Sequence, residues 1–279
     1  MRILIAGCGY SGIRMASRLH ADGHTVWGLR RSPPRDPSPI QWIQGDLTAV
    51  APLTLPERLD AVVLAAGLYR DTPERYHALF IDGYERLLRQ LRAEKHPLRR
   101  IVMISTTSVF AEADGGWVDE TSPTAPDRLP ASCYLAAEQR VSASGWSSVV
   151  LRCSGIYGPG RTRMLREARE QQTSPSGGPP QYVNHIHVDD VARAVAHVLA
   201  LDRPEPLYIT TDTEPADRDD VIAWIRRQLN MPAVEPATNA SPTKPRRSGN
   251  KRCRCTRLTS SGFLHLYPTF REGYAAEGA

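Results

Sequence analysis

Apolar residues along this chain fall into short continuous runs, separated by stretches in which they recur at helical spacing. The runs Arg2 to Ala6, His24 to Leu29, Ile40 to Ile43, Asp60 to Gly67, Arg100 to Ser105 and Ser148 to Arg152 predict six strands. The run Arg100 to Ser105 is nearly unbroken in apolar residues, as a buried parallel strand should be. Between them, Ile13 to Leu19, Pro73 to Lys95 and Ser132 to Ala143 predict helices; in the second, Tyr76, Phe80, Leu87, Leu88 and Leu91 share a face. Strands alternating with helices predict an α/β protein with a doubly wound parallel sheet. Right-handed crossovers then bring every loop that follows a strand to one sheet edge, where ligands bind.

After Gly155 the rhythm changes. Arg161 to Gln172, Val188 to Leu201 and Arg218 to Leu229 predict helices, the second opened by Asp189 and Asp190 in its first turn, and Leu207 to Thr210 predicts a short strand. Thr173 to Pro180 and Met231 to Gly249 are rich in Pro, Gly, Ser or basic residues and predict loops. Phe263 to Tyr274 has enough aromatic content to pack back onto a core. The expected division is a dinucleotide-binding domain over 1–160 that also receives 183–203. A small substrate-side lobe and tail then take 161–182 and 204–279.

The junction between first strand and first helix carries the chemistry. Gly7-Cys8-Gly9-Tyr10-Ser11-Gly12 places glycines where one allows a tight turn, one lets backbone approach a pyrophosphate, and one lets helix and strand pack closely. The helix N-terminus adds free N–H groups and a positive dipole end. Gly7, Gly9, Tyr10, Ser11 and Gly12 are therefore the expected phosphate cradle of a Rossmann-type nucleotide site. Arg30 and Arg31 end the second strand, roughly twenty residues further on, where an acidic residue would bind the ribose 2′-hydroxyl of NAD. Two guanidinium groups there favour a 2′-phosphate, and so NADP(H) over NAD(H). The competing reading is a solvated basic loop.

Composition changes this picture little. The chain has 279 residues, 41% of them hydrophobic, and a net charge of +5. Its arginines are scattered, and the one dense basic run, Lys244 to Arg257, has no nucleic-acid reader motif beside it, so a small-molecule substrate and not a nucleic acid is expected. Cys253 and Cys255 look like half a metal site, and His185 and His187 share a strand face, but neither pair has the further ligands a metal needs; no metal is expected. Five cysteines fit free thiols in a reducing cytoplasm. No run approaches the ~20 apolar residues of a membrane span.

Several segments, in order, resemble the extended short-chain dehydrogenase/reductase superfamily of the NAD-dependent epimerase/dehydratase type. Besides the glycine turn, these are Gly45-Asp46-Leu47, Ala65-Ala66-Gly67, Ser105-Thr106-Thr107-Ser108-Val109-Phe110, the stretch from Leu151 to Arg161, and Ile186-His187-Val188-Asp189-Asp190-Val191-Ala192. The resemblance covers Met1 to about Leu229. It implies that Asp46 and Leu47 contact adenine, that Ala65, Ala66, Gly67 and Ser105 line the cofactor, that Thr106 and Tyr134 are the catalytic candidates, and that Arg161 faces substrate. It implies a homodimer through the helices over 73–95 and 132–143, which light scattering checks. It also implies a polar carbonyl compound or sugar nucleotide as substrate for an oxidoreductase, epimerase or dehydratase.

Two departures matter. The turn is G-x-G-x-x-G, not the family's G-x-x-G-x-x-G, which points to an atypical subgroup. The Tyr-x-x-x-Lys pair is broken: Tyr134 is followed four residues on by Glu138, and a registration anchored on Ala137-Glu138-Gln139 puts Pro130 at the Tyr position and Tyr134 at the Lys position. A Tyr of pKa near ~10 is a poor base without a cation beside it, and a carboxylate raises that pKa further. The alternative for Thr106 is a strand-end hydroxyl that bonds its own backbone, and for Tyr134 ordinary aromatic packing. Two functions stay open: an enzyme, or a non-catalytic NADP(H)-binding regulator or sensor.

Overall fold

The computed structural model describes residues 1–34, 38–68, 71–125, 129–170, 179–233 and 249–279. The chain folds into two compact units. The first is 1–109, 125–152 and 191–208; the second is 110–124, 153–190 and 209–279.

The first unit opens with β1 (Arg2–Ala6), α1 (Tyr10–Ala21), β2 (Thr25–Arg30), β3 (Gln41–Gln44) and β4 (Ala61–Leu64). The predicted long helix follows as α2 (Pro73–His77), a π-helical turn over Ala78–Gly83, and α3 (Tyr84–Ala93). The wide turn has a packing partner: a Cβ on Gly83 would lie 2.6 Å from the Leu47 carbonyl oxygen, so glycine alone lets the helix come this close to the end of β3. β5 (Arg100–Thr106) comes next; β6 (Trp117–Val118) belongs to the second unit; then come α4 (Ala131–Ser142) and β7 (Ser148–Cys153).

After β7 come β8 (Gly155–Tyr157), α5 (Arg163–Arg169), β9 (Tyr182–Val183), β10 (His185–His187), α6 (Val188–Ala200), β11 (Leu207–Thr210), β12 (Ala216–Asp217), α7 (Arg218–Gln228), β13 (Arg252–Cys253), α8 (Thr256–Ser260) and α9 (Phe270–Ala276). A seven-stranded sheet has the order β11-β7-β5-β4-β1-β2-β3. β1 pairs in parallel with both β2 and β4, so the chain leaves β1 in the middle of the sheet and winds outward in both directions. This is the Rossmann-type α/β sheet that the apolar runs predict. Ile3, Leu4, Ile5, Val62, Val63, Ile101 and Val102 are fully buried, which explains why their strands read as unbroken apolar runs.

The second unit holds most of the elements that sequence patterning does not reveal. Three pairs of very short strands, β8 with β10, β9 with β12 and β6 with β13, tie remote segments together. Its core joins Tyr157, Leu165, Val221, Ile225, Phe270 and Tyr274. The aromatic tail packs back as expected, and Asp190 is the anchor: its carboxylate accepts the N–H groups of Leu266 at 2.7 Å and Tyr267 at 2.9 Å. Of the predicted loops, 173–178 and 234–248 lie outside the described residues, as do 171–172 at the end of the predicted helix and 244–248 at the start of the basic run.

Candidate functional site

The turn after β1 is built by backbone. The N–H groups of Gly7 and Cys8 both donate to the Leu29 carbonyl, at 3.0 and 2.8 Å, which fastens the turn to the end of β2. Gly7 has φ +91°, and a Cβ there would lie 2.3 Å from the Ala66 backbone, so β1 and the segment after β4 touch through the missing side chain. A Cβ on Gly12 would meet the Gly7 carbonyl oxygen at 3.1 Å and Ile5 Cγ2 at 3.3 Å, the close helix–strand contact expected of the third glycine.

Gly9 differs. It is the N-cap of α1, no side chain caps the helix, the first turn carries no acidic residue, and a Cβ on Gly9 would meet nothing within 4 Å. Gly9 thus combines open space at its Cβ position with an uncapped helix start, the arrangement an anionic phosphate needs. Gly67 is open in the same way, with nothing within 4 Å of its Cβ position. A dinucleotide fits these residues.

The flanking residues are in place around the same strand ends. Arg30 closes β2 half-buried and Arg31 follows it exposed. Burial alone would raise the pKa of Asp46, but the N–H and hydroxyl of Thr48, each 2.8 Å from its carboxylate, and the charges of Arg31 and Arg75 outweigh it and hold the group below the usual carboxylate range. Asp46 therefore remains an acceptor at all near-neutral pH. Leu47 is buried beside it. Ala65 donates its N–H to the Ala6 carbonyl at 2.9 Å, joining the ends of β4 and β1. The Cys8 thiol inside the turn is pushed up to about 12 by burial, against the lowering charge of Arg30, so it is a packing group and not a thiolate.

The residues expected to do chemistry are arranged differently. Thr106 Oγ1 donates to Ser108 Oγ at 3.0 Å and accepts the Ser108 N–H at 3.1 Å, so the strand-end turn engages this hydroxyl. Tyr134 lies one turn into α4, half-buried, with its ring 4.3 Å from that of Phe80. Ser105 is buried and donates to Glu138. Glu138 in turn holds Arg152 by two bonds, Oε2 to Nη2 at 2.7 Å and Oε1 to Nε at 3.2 Å.

This corrects one expectation: Glu138 is not a bare negative charge beside Tyr134, because a buried guanidinium neutralises it. The buried triad Ser105–Glu138–Arg152 was not legible in the sequence as a triad, although Arg152 stands in one of the stretches that carry the family resemblance and Glu138 in the broken motif. Arg161 is in the second unit, exposed, with its N–H donated to the Gly158 carbonyl at 2.8 Å.

His185 and His187 are buried in the second unit. Each packs edge-on against Tyr157, at 5.7 and 5.3 Å between ring centres. His187 Nδ1 accepts the Asp189 N–H at 3.2 Å, which leaves Nε2 to donate to Glu277 at 3.2 Å. Among the described residues no three His, Cys, Asp or Glu side chains converge as a metal-binding group. Nearby, burial pushes the Asp212 carboxyl well above the ordinary range, the Glu214 N–H opposes this, and the charges of Glu214, Glu272 and Asp190 add to it.

A folded-state pKa above the unfolded one means that stability is fully present at low pH and is lost as pH rises through the raised value. As pH rises above the ordinary carboxylate range, the melting temperature of the wild type is expected to fall more steeply than that of Asp212→Asn. Parallel melting curves as a function of pH would refute this assignment.

A doubly wound parallel sheet with a glycine turn and an uncapped helix N-terminus at its central strand defines a dinucleotide-binding α/β protein. A family profile described as the NAD dependent epimerase/dehydratase family matches residues 3–209. The chain belongs to that family, and it is an NAD(P)-dependent oxidoreductase-type protein of the extended short-chain dehydrogenase/reductase group.

A 3-diazoavenalumate denitrifying reductase from a Streptomyces species is 28% identical, over 99% of this chain and 100% of that protein. A structure from Methylobacillus flagellatus assigned to the NAD-dependent epimerase/dehydratases is 31% identical, with a TM-score of 0.80 over 99% of this chain and 96% of the other. The human epimerase family protein SDR39U1, solved with NADPH, shares the fold at 20% identity, with a TM-score of 0.77 over 100% of both chains. Among the described residues no helix is long and apolar enough to cross a membrane.

Proposed function

We propose that this protein is an NADP(H)-using reductase that acts on a small polar carbonyl compound, or on an electrophile of similar size and polarity. The observation that carries the reading is the contrast between a complete phosphate cradle at Gly7 to Gly12 and a broken Tyr-x-x-x-Lys pair. The bound dinucleotide would supply a hydride from its nicotinamide ring. Gly9 and the start of α1 would hold the phosphates, Arg30 and Arg31 the 2′-phosphate, and Asp46 with Leu47 the adenosine.

Acid–base chemistry at neutral pH supports the direction of reduction. Oxidising an alcohol needs a base to take the hydroxyl proton, and a Tyr does this at neutral pH only with a cation beside it. Glu138 is spent on Arg152 and Ser105, which fits the registration in which Tyr134 occupies the Lys position and no Tyr remains at its own. A reduction asks less: a neutral hydroxyl such as that of Thr106 or Tyr134, or water, can donate the proton. The whole-length relative is itself a reductase, which supports this direction. The sugar-nucleotide substrates implied by the resemblance are one source of the carbonyl group.

A second reading, a cofactor-binding sensor, is favoured by the engagement of Thr106 with Ser108 and the packing of Tyr134 on Phe80. NADPH absorbance followed across a panel of carbonyl compounds and sugar nucleotides separates the two. Consumption is expected, with Tyr134→Phe slowing it by ~10-fold or less, since Thr106 or water can still donate the proton. Tight NADPH binding with no turnover would favour the sensor. In the same titrations the double change Arg30→Gln, Arg31→Gln is expected to weaken NADPH by at least ~10-fold and leave NADH unchanged; equal wild-type affinity for the two coenzymes would remove the preference.

A further inference from the structure

We propose that the second unit carries an oxyanion-binding platform formed by Arg252 and Arg254 on Trp117, for the phosphate or carboxylate group of a ligand. Trp117 is one of few large apolar side chains left in water, 45% exposed. Both arginines stack on it, with guanidinium carbons 4.9 and 4.8 Å from the ring centre. Arg252 is also 4.8 Å from the Tyr182 ring, and its Nε donates to the Gly115 carbonyl at 2.8 Å. Two rings and one hydrogen bond therefore fix this guanidinium while its terminal nitrogens remain as donors. The pairing of β6 with β13 places Arg252 opposite Trp117 and sets Arg254 just beyond it.

Ordinarily such charges are spent on carboxylates, yet among the described residues neither Arg252 nor Arg254 has an ion pair. The carboxylates nearby are held by other donors. Glu112 accepts the N–H groups of Asp114 and Gly116 at 2.7 and 3.0 Å. Asp119 accepts the N–H and hydroxyl of Thr121 at 2.9 and 2.6 Å, and these bonds lower its pKa more than the charge of Arg254, which acts on it in the same sense. Glu120 accepts the Ile209 N–H at 2.8 Å and pairs with Arg257 at 3.8 Å. Lys251, 3% exposed, directs its charge at Glu112 and is not part of the platform. The fixed Arg252 fork matches the planar, bidentate geometry of phosphate and carboxylate oxygens and lowers the ordering cost of binding, and Arg254 on the same ring adds a second charge.

The proposal rests on the reductase reading only in that the ligand would be that enzyme's substrate. A diphosphate-bearing nucleotide and an aryl carboxylate would both present the required group, so calorimetric titration uses UDP and benzoate, with uridine as the uncharged control and NADPH in a separate titration. UDP or benzoate is expected to bind, at least 10-fold more weakly to Arg254→Gln and to Arg252→Lys, with NADPH affinity unchanged. Arg254 is exposed and Arg252→Lys keeps the charge, so both variants should fold. Binding of UDP alone identifies a phosphate source, and of benzoate alone a carboxylate source; either sustains the platform. It is overturned if protein that binds NADPH takes neither anion, if uridine binds as tightly as UDP, or if both variants bind like the wild type. Anion binding without any NADPH binding would instead sink the reductase reading and leave the platform standing.

Discussion

Gly9→Val is expected to leave the melting temperature within the range of a neutral surface change while weakening NADPH at least ~100-fold. The Gly9 side-chain direction is open space, so the fold has nothing to lose there beyond about 0.5 kcal/mol. The same space is where phosphates must approach the start of α1, and losing two hydrogen bonds to a charged group costs roughly 3–6 kcal/mol. Gly7→Ala is expected to behave in the opposite way. Its φ of +91° and the 2.3 Å approach to Ala66 leave no room for a methyl group, so strain and overpacking should together destabilise the protein by roughly 3–5 kcal/mol. Thermal melting and NADPH titration of the two variants separate a ligand-facing glycine from a structural one. A Gly9→Val protein with wild-type affinity would overturn the placement of the phosphates.

The second large effect is expected at Arg152. Its side chain and that of Glu138 are 8% and 9% exposed, so neither charge can turn to water if its partner is removed. Arg152→Met should therefore cost about 3–5 kcal/mol in urea unfolding. The double change Arg152→Met, Glu138→Leu should recover much of that loss, because two apolar groups of similar volume leave no buried charge behind. The Ser105 hydroxyl would lose its acceptor in the double variant, which sets a floor of about 1 kcal/mol on the remaining deficit. Additive losses from the two single changes would show that the pair is not coupled.

The Glu138–Arg152 pair also bears on how the site reads. From sequence alone, Glu138 looks like a defect in a catalytic motif, a carboxylate where a lysine belongs. In three dimensions it is an interior brace that joins α4 to β5 and β7. Tyr134, one turn earlier, packs on Phe80, which lies 54 positions away in the chain by residue number. Neither contact leaves a periodicity that a reader of the chain could find.

What the chain alone determined is local. The glycine turn, the uncapped helix start after it and the apolar strands arise from backbone freedom and burial within a few residues, so the parallel sheet and the turn at its edge were readable without a structure. What only the tertiary structure decided is the choice of partners across long separations: Ser105 with Glu138, Glu138 with Arg152, Trp117 with Arg252, and Asp190 with the backbone after Leu264. A hydrogen bond or a stacked cation forms with whatever group the fold delivers within a few ångströms, and that delivery depends on the packing of the whole unit rather than on the spacing of residues along it.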